Sequence, residues 1–303
     1  FKDQRWQDAV TALDAAKALD PHYADTHYRL GIAFEQLGQT NQSAGHFQQA
    51  LDLDTLRFRA DTQINERVRQ VAERFNDTAF SFVDSEMAFK RVSQPKPPGW
   101  NLLLEHVHYS FSGNYLLATG FAGAILDTLD ASIDGALLPA QEVARRIGYP
   151  NFTTIDAMGR LLDMVQTPPF TGQSNYAALV DFINGTGAAL AQQVGSTQDV
   201  IQRRQDLVAA GEADWQIHYE LAELFRHEQD PESALHHFRQ VIQEYSHHGS
   251  SHLKIAELHQ AFGRFKAAIP HLEQALNYTR DDQTLQAQTL GALASAHLKA
   301  GDP

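Results

Sequence analysis

Two histidines and a glutamate stand almost side by side in the stretch "LLLEHVHYSFSGNYLLA", residues 102–118: Glu105, His106 and His108. The spacing suits one kind of chemistry. An imidazole removes the proton of a serine hydroxyl best when a carboxylate accepts its other N–H and fixes the tautomer. A carboxylate three residues earlier in a tight loop reaches back to such a ring. The competing reading is a loop histidine satisfied by backbone groups, beside a solvated surface acid. Metal binding is the other chemistry histidine offers, and the chain has 15 of them. His106 and His108 lie two apart, His236–His237 and His247–His248 are adjacent, and no His-Glu-x-x-His pattern accompanies them. Adjacent histidines on a helix point to different sides, so no metal site is expected, and no cofactor is implied. Arg57 and Arg59 in "LRFRAD" would hold an anionic substrate group if they face the loop. Asp54 and Asp61 offer them ordinary ion-pair partners instead.

The elements that must position this loop begin near Leu56, where the character of the chain changes. "ADTQINERVRQVAERF" places Ile64, Val68, Val71 and Phe75 on one face of a helix. "TAFSFVD" is a brief apolar run closed by Asp84, the pattern of a strand buried on both faces. "SQPKPPGW" is a proline-rich loop, and "GNYLLATGFAGAIL" after the histidines is an apolar helix. Helix, strand, loop and helix make one α/β unit. A single parallel strand needs neighbours joined by crossovers, and this chain shows none. From Asp127 to Gln193 the pattern is a helical connector: "LPAQEVARRIG", "TTIDAMGRLLDMV" and "YAALVDFINGTGAALAQ" are helical, with "TPPFTGQSNY" a fixed loop. Ser196 and Asp199 in "STQD" form a capping box that opens the next segment.

Both ends repeat. "RLGIAFEQLGQTNQSAGHFQQAL" sets Leu30, Gly31 and Phe34 on one helix, Gly38 at a turn, and Ser43, Phe47 and Ala50 on a second. Toward the other end Leu221, Ala222, Phe225, Ala234 and Phe238 fill the same slots, followed by Ala256, Gly263, Ala268, Leu272 and Ala275. Ala222 to Ala256 and Ala234 to Ala268 are both spaced by 34 residues. These stretches resemble tetratricopeptide repeats, helix pairs with that period. The chain starts and stops inside a repeat, so it reads as a fragment of a longer protein. The resemblance implies a concave face lined by the first helix of each repeat, here Tyr28 and Ile32, Tyr219 and Glu223, Leu253 and Glu257. Acidic and apolar groups at those slots would repel a peptide carboxylate. The expected partner is a basic or apolar protein surface, or a second copy of the chain.

The middle also resembles a family. Glu105, His108 and Gly113, with "YSFSGNYLLA" behind them, resemble the last motif of SGNH (GDSL-type) hydrolases, Asp-x-x-His-x-x-x-x-Gly, set between the last strand and the last helix. The stretch from "LDTLRFRADTQIN" through "EHVHYSFSGNY" to "PPFTGQSNYAALV" resembles bacterial proteins in which tetratricopeptide repeats interrupt and follow an SGNH-like domain. The resemblance implies His108 as general base, Glu105 as the group that orients it, and His106 as a bystander or a support behind the pair. Glu105 stands where that family carries Asp. No Gly-Asp-Ser follows a strand and no Gly-x-Asn-Asp is present, so this chain alone should not hydrolyse an ester.

The fold class expected is mainly α. Tetratricopeptide blocks at 1–55 and 196–303 flank the C-terminal part of an SGNH-like α/β module at 56–124 and a connector at 125–195. The function expected is an interaction scaffold carrying part of a serine esterase or acyltransferase, or a non-catalytic scaffold with a degenerate remnant. With 24 Lys+Arg against 37 Asp+Glu, a formal charge of −13 and no dense basic tract, a nucleic-acid partner is not expected. The absence of cysteine removes disulfides and thiolate chemistry. No apolar run reaches the roughly 20 residues of a membrane span. The expectation is a soluble protein, cytoplasmic or periplasmic.

Overall fold

The computed structural model of the chain describes residues 5–75, 80–131, 137–278 and 282–301. Among these the regular elements are all helical. They fall into two compact units, one of residues 1–140 with 165–183, the other of 141–164 with 184–303.

The first unit opens with α1 (Trp6–Leu19), α2 (Ala24–Gln36) and α3 (Thr40–Leu53). Val10, Leu30, Ala33 and Phe34 form their core. The small residue at Gly31 lets α2 and α3 close together, since a methyl group there would lie 2.6 Å from the Phe47 ring. After them come α4 (Thr62–Ala72), α5 (Ser85–Ser93) and α6 (Phe111–Thr128). Each starts on a side chain that accepts from an otherwise unpaired N–H of the first turn: Asp61 from Ile64, Asp84 from Met87, Ser110 from Gly113. Arg69 on α4 bonds to both Asp84 and Glu86, tying the start of α5 back to α4.

The α/β expectation is corrected here. Phe80–Asp84 run outside regular secondary structure, and the first residues of the expected strand lie outside the described residues. The β pairing present is an isolated antiparallel bridge between Leu103 and Tyr109. A strand exists through its neighbours' hydrogen bonds, and among the described residues no second strand runs beside "FSFVD". The apolar face of α4 is equally uncovered, with Ile64, Val68, Val71 and Phe75 exposed.

The helical stretches between the ends become α7 (Ala140–Arg146), α8 (Phe152–Val165) and α9 (Tyr176–Val194), with a 3-10 turn at Phe170–Gly172. In the second unit α10 (Thr197–Ala209) begins on the capping box of Ser196 and Asp199. It is followed by α11 (Trp215–His227), α12 (Pro231–Glu244), α13 (Gly249–Ala261), α14 (Phe265–Tyr278) and α15 (Gln283–Ala300). The small residues at the 34-residue spacing are the fully buried ones: Ala222, Ala234, Ala256 and Ala268. Ala222 and Ala234 pack with Leu235, Phe238 and Ile255, and Ala256 and Ala268 with Leu272, Ala275 and Ala296. This is the helix-pair stacking the repeat pattern implies. Among the described residues no helix is long and apolar enough to cross a membrane.

Candidate functional site

The glutamate–histidine loop is closed at its base. Leu104 donates to the His108 carbonyl at 2.8 Å and Ser110 to the Leu102 carbonyl at 2.9 Å. Leu102 and Leu103 are buried and anchor it. This tight turn brings three consecutive residues around the Glu105 carboxylate. Glu105 Oε2 accepts from the backbone N–H of His106 and from that of Val107 at 3.1 Å. Its Oε1 accepts from the His108 N–H at 2.7 Å and from His108 Nδ1.

The two partners differ sharply in surroundings: the Glu105 side chain is 1% exposed and that of His108 is 60% exposed. A carboxylate accepts only, so Nδ1 carries the proton of this bond, and a neutral imidazole held so has its lone pair on Nε2. Burial pushes the Glu105 carboxyl up. The His106 and His108 imidazoles and the N–H groups of His108 and Val107 outweigh it and hold the group at about 2. The loop therefore presents an ionised, desolvated carboxylate behind an exposed imidazole.

His106 turns inward. Its ring lies 4.9 Å from Phe58 and 5.5 Å from Phe170, with Nδ1 3.4 Å from Glu105 Oε2. Together with Arg59, Lys90, Glu86, Phe89 and Tyr109 it lines a cavity of about 390 Å³. The two arginines separate. Arg57 pairs with Asp61 at 2.6 Å and donates to the Asp54 carbonyl. Arg59 turns toward the loop and donates to the Pro98 carbonyl at 3.1 Å. Burial lowers its pKa, opposed first by the Glu105 carboxylate and then by Asp54 and Tyr109. Phe58 and Phe170 were not singled out in the sequence. Phe170 sits in "TPPFTGQSNY", which reads as a fixed loop without showing what it fixes. No group of three metal-ligating side chains occurs among the described residues.

The residues expected on a concave face make contacts of their own. Tyr28 on α2 packs against Phe47, and burial raises the pKa of its hydroxyl. Tyr219 on α11 meets Phe238 edge-on, and its hydroxyl is 3.5 Å from Ser250 Oγ. Glu223 pairs with Arg226 at 2.6 Å and Glu257 with Lys254 at 2.9 Å. Leu253 belongs to the core, buried among Ala256 and Leu272.

Comparison with known proteins bears on the two ends. A TPR-repeat family model matches residues 1–38, and two tetratricopeptide-repeat models match 25–54 and 225–293. The chain carries tetratricopeptide repeats in both places. No curated protein matches it. Among solved structures, the crystal structure of the P58(IPK) TPR domain is 13% identical, with 98% of this chain and 94% of that chain covered, at a TM-score of 0.32. That superposition is too loose to bear on the fold.

Proposed function

We propose that the chain is a protein-interaction scaffold whose middle segment holds the base half of a serine hydrolase or acyltransferase site of SGNH type. One observation carries the catalytic half: His108 Nδ1 bound to a buried, ionised Glu105, with the imidazole side chain largely exposed. In the reaction, His108 Nε2 takes the proton of a serine hydroxyl as that oxygen attacks the acyl carbon. Glu105 stabilises the imidazolium that results. The proton then passes to the leaving group. His106, packed against the stacked rings of Phe58 and Phe170, supports Glu105 from behind, and Arg59 meets an anionic part of the substrate. The serine comes from sequence outside this chain. The uncovered apolar faces support that reading. Ile64, Val68 and Val71 with Phe80 and Phe82 line a groove of about 560 Å³, and Phe121 and Ile125 on α6 are exposed. These are surfaces that an α/β unit covers with a sheet.

The scaffold half rests on the repeats. The face of α11 and α13 that bears Tyr219, Glu223 and Glu257 fits a basic or apolar protein segment. A second reading, a non-catalytic scaffold, is favoured by the lack of any Gly-Asp-Ser or Gly-x-Asn-Asp in the sequence. One experiment separates them. In the longest natural protein that contains this chain, a fluorophosphonate probe should label a serine, and His108→Ala should slow hydrolysis of an activated ester by about 10³-fold or more. No labelled serine, or an unchanged rate, overturns the catalytic half and leaves the scaffold.

A further inference from the structure

The repeats share a feature that packing alone does not call for. In each of three helix pairs, a histidine on the first helix meets one on the second 19 residues later, nitrogen to nitrogen. His27 Nδ1 lies 3.1 Å from His46 Nδ1, His218 Nδ1 2.9 Å from His237 Nδ1, and His252 Nδ1 3.1 Å from His271 Nδ1. A further ring stacks on the second histidine each time: Phe34 on His46, Phe225 on His237 and His259 on His271. His27, His237, His252 and His259 are buried.

The protons in two of the pairs follow from their outer partners. His27 Nε2 faces the Pro21 carbonyl at 2.9 Å, and His252 Nε2 faces the Ser246 carbonyl at 3.0 Å. A carbonyl accepts only, so Nε2 carries the proton and Nδ1 is the acceptor. His46 and His271 therefore donate from Nδ1. A pair of this kind holds at most one positive charge. A second proton would set two N–H groups head to head at about 3 Å, and the bond between the helices would be lost.

We propose that the three imidazole pairs act as acid-sensitive latches, closing each helix pair when neutral and releasing it when both rings take up protons. The groups facing them bear on this. Asp14 from α1 favours a charge at His46, while Lys17 of the same helix opposes it. Around His218 stand Glu244, Asp214 and His236. Around His271 stand His252, His259 and Arg239, none of them negative. Burial comes first in lowering His46 and His218, and it holds His237 and His271 at about 4. The folded chain thus binds fewer protons than the unfolded chain between the ordinary value of 6.5 and about 4. Stability is full above that window and falls as pH drops through it.

The test compares the wild-type chain with the triple variant His46→Gln, His237→Gln, His271→Gln. Gln keeps an N–H donor for the first histidine and does not titrate. The Tm of the wild type should fall by about 5 °C or more between pH 7 and pH 5, where most carboxylates stay ionised, and the variant should lose much less. Equal falls in both overturn the proposal. If the variant does not fold, the ring protons of the wild type decide by NMR. His237 and His271 should still be neutral at pH 5.5, and titration of both near 6.5 would rule the latch out.

Discussion

The carbonyl oxygen of Leu102 occupies the place where a side chain on Gly113 would begin, so any Cβ there overlaps backbone rather than a movable side chain. The first turn of α6 lies directly on the base of the glutamate–histidine loop for this reason. Gly113→Ala should destabilise the first unit by about 1–3 kcal/mol, read as a lower urea midpoint, and loosen the His108–Glu105 contact with it. The five-residue interval from His108 to Gly113 was visible in the sequence, but the reason for the glycine was not, because it lies in a carbonyl eleven residues upstream. Glu105 was equally ambiguous. Its letter alone fits a solvated acid or a buried one, and only the closure of the loop by Leu102 and Ser110 shows that three backbone N–H groups and an imidazole surround it.

At the scale of elements, the helices were legible wherever their buried face meets a neighbour in this chain. Ala222, Ala234, Ala256 and Ala268 are fully buried because two helices close at each, and a period of 34 records that directly. The same reasoning misled at "TAFSFVD", since hydrophobicity reports that a segment wants covering without reporting that the cover is present. Arg204 on α10 shows the opposite limit. Nothing in its surroundings in sequence marks it, yet its side chain is 4% exposed, pairs with Glu220 at 2.6 Å and bonds the Gly148 carbonyl. It joins the start of the second unit's helices to α11. Arg204→Leu removes the guanidinium and leaves a carboxylate and a carbonyl facing apolar surface. The expected loss is about 3 kcal/mol, measured as a lower midpoint in urea, while Arg203→Leu nearby should change little.

For the whole molecule, the balance of charge and the burial of titratable groups act together. The formal charge is −13 with every histidine neutral. Buried imidazoles resist protonation, and Glu105, Glu142 and Asp84 are held below the ordinary carboxylate range, by hydrogen bonds or by arginines. Both effects leave the folded chain more negative in mild acid than the same sequence unfolded. On isoelectric focusing the native chain should band at a lower pH than in urea, and coincident bands would mean that these groups titrate freely. For the paired rings of the repeats this has a practical side. While the latches hold, the particles keep repelling one another in weak acid, whereas a chain that opens approaches electrical neutrality just as its core comes into view. Unfolding and flocculation should then arrive together, at the same pH.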